Sequence, residues 1–160
     1  MENKKSILII LLVVCIAAAA AYTAFGMEPM GNSQLKKAVT SLDDGETVML
    51  NEVVPFDWDK VVSFPPYTSK EKMAGDLGIR SFCYKDVLSE GMVQLVFIQG
   101  QQIMACVTDY AENTGYSIEI PWEEGGDAAA ILYEENAKYK VVKDGDITRL
   151  VFISKEDAKW

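Results

Sequence analysis

Two aspartates, Asp57 and Asp59, flank Trp58 in the stretch PFDWDK, a spacing that on an extended strand puts both carboxylates on one face and the indole on the other. Such a pair offers a cation or a basic partner group two arms, well short of the roughly six to eight oxygens that calcium takes. A second grouping, Trp122, Glu123, Glu124 and Asp127 in the loop WEEGGD, sets an aromatic face beside three acids. Those are the parts of a sugar site, where a ring stacks on the indole and two carboxyls share acid and base work. Adjacent glutamates alone do not give the carboxyl separation of about 5 to 9.5 Å that glycoside hydrolysis needs. Asp144-Gly145-Asp146 carries part of a calcium-loop ligand set and reads instead as a hairpin turn.

With 0 histidines the chain lacks the usual general base and the commonest metal ligand. No Ser-x-x-Lys stands in a setting that would desolvate the lysine and activate the serine. These residues therefore assemble no catalytic constellation, and the expectation is a binding surface without cofactor or metal. That surface combines Asp57, Asp59, Tyr67, Trp122, Glu123, Glu124 and Asp127.

The elements that must position these residues follow a leader. Ile7 to Phe25 is an uncharged apolar run behind Lys4 and Lys5. As a helix its about 19 residues span roughly 28 Å, close to the bilayer core of about 30 Å. The basic flank stays inside, so the remainder is expected outside the cytoplasmic membrane on a single-pass anchor. Its strongly apolar part stops at Ile16, and small residues follow, which equally suits a cleaved signal peptide and a secreted product. Lipidation at Cys15 is a third reading, although Val14 stands where a lipoprotein signal has a small residue. The expected division is 1–25 leader, 26–32 tether and 33–160 domain.

The chain carries a formal charge of −9, and removing the leader's net +1 leaves −10 for the rest, which argues against nucleic acid and anionic headgroups as partners. The expected partners are the membrane, through the leader, and a protein or cell-wall ligand. Of 3 cysteines, Cys83 and Cys106 alone lie in the domain. In an oxidising exterior they either bridge, closing a loop of about 24 residues worth about 3 kcal/mol, or remain two small buried thiols.

Hydropathy patterning predicts one α+β domain with a mainly antiparallel sheet, a meander, and two short helices early in the chain. The first helix is capped by Asn32 or Ser33 and buries Leu35, Val39 and Leu42. A strand runs through Glu46–Val54. Another covers Phe56–Phe64, with Phe56, Trp58, Lys60, Val62 and Phe64 sharing a face, and breaks at Pro65-Pro66. Thr68, with Glu71 three residues on, caps the second helix, which buries Met73 and Leu77 and stops at Gly78. Met92–Ile98 and Ile103–Thr108 form a hairpin that is apolar on both faces, Val93, Leu95 and Phe97 on one, Met92, Val96 and Ile98 on the other. Tyr116, Ile118 and Ile120 make a further strand, Ala128–Tyr133 is ambiguous between strand and helical turn, and Tyr139–Lys143 with Ile147–Ser154 flank the turn at Asp144-Gly145.

The phrase Phe56-Asp57-Trp58-Asp59-Lys60, followed by Phe64-Pro65-Pro66-Tyr67-Thr68-Ser69-Lys70-Glu71, resembles a motif of small exported, membrane-tethered or lipoprotein-like bacterial proteins of uncharacterised function. The resemblance covers about 25 residues and the general plan of a leader and a β-rich domain, and it implies kinship without implying an activity.

Overall fold

A strand that is apolar on both faces needs cover on both, and the run Met92–Gln99 has it. In the computed structural model, which describes residues 10–16, 29–121, 130–133 and 137–155, that strand lies inside a sheet with a separate hydrophobic cluster on each side. The elements in order are α1 (residues 10–16), α2 (Gly31–Thr40), β1 (Thr47–Met49), α3 (Leu50–Val53), β2 (Lys60–Ser63), α4 (Lys70–Leu77), β3 (Met92–Gln99), β4 (Gln102–Tyr110), α5 (Ala111–Thr114), β5 (Tyr116–Ile118), β6 (Ala130–Tyr133), β7 (Ala137–Asp144) and β8 (Ile147–Lys155).

The fold is α+β with mainly antiparallel pairing, as expected, but the strands do not make one meander. They form two four-stranded sheets, β1-β7-β8-β5 and β4-β3-β2-β6. The chain crosses between them because β5, which follows β4, lies parallel to β8, a strand that comes later in the sequence. The first sheet thus closes around β8, with β7 antiparallel on its other side.

One core lies between the sheets and under α2. Val48, Tyr116, Ile118, Tyr139, Val141 and Leu150 of the first sheet share it with Val61, Leu95, Phe97 and Val107 of the second, and Leu35 and Val39 fill it from α2. Trp58 and Phe56 stand edge-on to Phe97, at 5.4 and 5.7 Å between ring centroids, the T-shaped arrangement that aromatic quadrupoles favour. A second core, on the outer face of β4-β3-β2, takes Val62, Phe64, Val96, Ile98 and Cys106 against Met73 of α4 and Tyr84 and Val87 of the segment after it. The two faces foreseen for β3 are the faces observed.

Several local expectations are corrected. The strand through Glu46–Val54 is a three-residue β1 followed by the helical turn α3, because Leu50 and Val53, three apart, both turn inward. The strand from Phe56 shortens to β2, where Val61 and Val62 are both buried, so Trp58 and Val62 pack in different cores rather than on one face. Helix α2 begins at Gly31 without a side-chain cap, so Gly31 and Asn32 lie within the helix and neither Asn32 nor Ser33 caps it. Ser69, not Thr68, caps α4, accepting from the Lys72 amide at 3.2 Å, while the Thr68 hydroxyl donates to the Pro65 carbonyl at 2.7 Å. Gly78 ends that helix in the left-handed conformation, as expected. Cys83 and Cys106 carry thiols in this structure.

Of the leader only α1 falls within the described residues, with its apolar side chains 57 to 62% exposed. Among the described residues no helix is long and apolar enough to cross a membrane.

Candidate binding groove

β2 leaves the sheet at Ser63 because Pro65-Pro66 carries no amide hydrogen with which to continue the ladder. Gln94 bridges the departure: its side-chain oxygen accepts from the Phe64 amide at 2.8 Å, standing in for a backbone carbonyl, although the residue is only 3% exposed. Beyond that point the first residues of β3 lose their neighbour on the β2 side. On the far side of the opening stands β5, the edge strand of the other sheet among the described residues. Between them lies a cavity of about 460 Å³, lined by Ser63 and Gly91–Gln94 on one wall and by Ser117–Ile120 and Arg149–Val151 on the other.

The direction of the β5 backbone gives the groove its chemistry. The Glu119 amide donates to the Leu150 carbonyl at 3.0 Å and the Thr148 amide donates to Gly115 at 3.0 Å, so this strand spends every second residue on β8. Successive residues of a strand direct their backbone groups to opposite sides, which turns the N–H of Ile118 and of Ile120 away from β8 and toward the opening. Both side chains are buried in the core, so the amides are held rigidly. Gly115, at φ 80°, and the Thr114 hydroxyl, which donates to the Tyr116 carbonyl at 2.6 Å, fix where the strand begins.

The polar side chains of the walls are few. Glu119 accepts from the Phe152 amide at 3.2 Å, and Arg149 contacts Asp144 at 3.3 Å, so the two charged groups are already engaged. Burial first, and then the nearby Glu119 carboxylate, hold the Tyr139 phenol well above the usual tyrosine range. Ser63 and Ser117 are the hydroxyls, and neither has an imidazole to activate it, since the chain contains none. Among the described residues Glu119 is the one acid of these walls.

Of the residues singled out from the sequence, Asp57, Asp59 and Tyr67 are described, the two aspartates before β2 and the tyrosine beyond its far end. Asp59 serves the fold: its carboxylate accepts from the Gly100 amide in the β3–β4 turn while its own amide donates to Ile98 at 2.8 Å. Asp57 is exposed beside it. Ser63 is at the other end of β2, and Tyr67, 73% exposed, follows the proline corner, where its amide donates to the Val87 carbonyl at 2.7 Å. Trp122, Glu123, Glu124 and Asp127 lie outside the described residues. Among the described residues no group of three or more acids and cysteines could hold a metal ion.

Gln94, Ile118 and Ile120, on which the groove depends, were not singled out by sequence. Gln94 did leave a signal, as the only polar residue inside MVQLVFI. Compared with known proteins, the chain matches no family model, no curated protein and no solved structure.

Proposed function

We propose that this chain is a non-catalytic binding module, held outside the cytoplasmic membrane by its apolar leader, that takes an extended polypeptide segment into the groove between β3 and β5. The observation that supports the reading is that β5 is an edge strand among the described residues, with the amides of Ile118 and Ile120 on the side away from β8. Two rigid amides two residues apart present the repeat that an added strand recognises, and main-chain hydrogen bonds of that kind give affinity without requiring a particular sequence.

A wall hydrolase using Glu123 and Glu124 would need two facing carboxyls. The described groove offers one acid, Glu119, and its oxygen already accepts from Phe152. Plugging a secreted enzyme is the third use of such a domain, and it would place a protein partner on the same face.

A photoreactive residue at Ser117, on the groove wall, tests the reading in living cells against the same residue at Asp146, in the β7–β8 turn outside the groove lining. A discrete polypeptide adduct at Ser117 and not at Asp146 is expected. Adducts of lipid or glycan alone, or equal yields at the two positions, would overturn the proposal.

A further inference from the structure

The outer core holds two sulfurs that the groove does not use. Cys106 is 5% exposed on β4, the edge strand of its sheet among the described residues, and Cys83, half-buried, packs against the same cluster from the segment that follows α4. Tyr84 belongs to the same cluster, so both cysteines border one packed layer, and burial raises its phenol above the ordinary range. The Ser81 hydroxyl donates to the Cys83 sulfur at 3.1 Å. The thiolate is the form of a cysteine that attacks disulfides.

We propose that Cys83 and Cys106 are a dithiol site that closes to a disulfide and fastens the layer around Tyr84 to the edge of the sheet. The half-buried sulfur reacts first. The Cys83 thiolate attacks a disulfide oxidant, forming a mixed disulfide and releasing one thiolate of the oxidant. The Cys106 sulfur, having given its proton to solvent, then attacks the Cys83 sulfur and expels the second thiolate. Two protons leave the protein, and its two electrons reduce the oxidant to two thiols. The reaction is independent of the groove and of where the chain resides, because it needs only an oxidant of the disulfide class.

Full-length protein carrying Cys15→Ser, in detergent micelles, is treated with oxidised glutathione, alkylated after unfolding and mapped by mass spectrometry. The expected result is simultaneous loss of alkylation at both positions and a cross-linked peptide pair lighter by two hydrogen atoms, with no glutathione retained. In Cys106→Ala the adduct should accumulate on Cys83. A wild-type protein that retains glutathione on Cys83 while Cys106 is still alkylated would overturn the proposal, and that outcome is readable without the variant.

Discussion

The side-chain amide of Asn32 reads the backbone of Cys106 from both sides, donating to its carbonyl at 2.8 Å and accepting from its amide at 2.7 Å. An asparagine amide has the donor and acceptor of a peptide group, so this one residue acts as a single-rung neighbour for β4, whose outer edge would otherwise be open. The residues are 74 apart in sequence, and the pair seats α2 on the second sheet.

Asn32→Ala removes both bonds and exposes the Cys106 backbone groups, so denaturant unfolding of the full chain should show a loss of about 2 kcal/mol. Its neighbour has no room for a side chain: a Cβ on Gly31 would fall 2.1 Å from the Met104 carbonyl oxygen. Gly31→Ala should cost about 1 to 3 kcal/mol as the helix shifts to relieve the clash. Unchanged unfolding midpoints in both variants would mean that α2 docks elsewhere.

Gln94→Leu keeps the bulk and deletes the acceptor of the Phe64 amide. The expected loss is about 1 to 3 kcal/mol, the cost of an orphaned buried donor. Hydrogen exchange at Phe64 should accelerate more than at Val62, which lies within the β2–β3 pairing.

The buried hydroxyls of Tyr116 and Tyr139 have no hydrogen-bond partner among the described residues. Replacing either by phenylalanine should stabilise the protein by about 1 kcal/mol, the desolvation penalty removed. Burial also raises both phenols in the folded state, whereas in the unfolded chain they ionise near pH 10. Their contribution is complete below that value and is lost as pH rises from about 10 toward the folded pKa. Unfolding free energy should therefore fall between about pH 10 and 11.5, and less steeply in the double phenylalanine variant. A pH-independent unfolding free energy over that window would contradict the burial of the two phenols.

Tyr67 has φ 66° with a side chain that is 73% exposed. The left-handed conformation costs a side-chain-bearing residue roughly 1 to 2 kcal/mol and glycine little, while glycine loses up to about 1 kcal/mol of chain entropy on folding. Tyr67→Gly should therefore unfold at the same temperature as the parent or higher. Tyr67→Val should unfold lower, since a β-branched residue tolerates that conformation worst. A lower midpoint for the glycine variant would show that the ring contributes stability through contact.

The parts of this fold legible in the sequence were those with local causes. The β3–β4 and β7–β8 hairpins follow from apolar-rich runs on either side of Gly100 and Gly145, and Gly78 stops its helix because a left-handed residue was needed there. The two-faced character of β3 was visible because nearly every residue in it is apolar. What was not legible depended on distant partners. Nothing in Tyr116–Ile118 announces a parallel pairing with Leu150, and nothing in Asn32 distinguishes a cap from a rung for a strand 74 residues away. The groove was hidden for the same reason, since its walls come from two sheets and its donors are backbone amides with no residue type to mark them.

Because β8 lies between β5 and β7, the first sheet has no centre until residues 147–155 have been synthesised. Until then the inner core stays uncovered on the β8 side, whereas the outer core draws all its residues, Val62 to Cys106, from chain already made. The two cores therefore become complete at different points along the sequence.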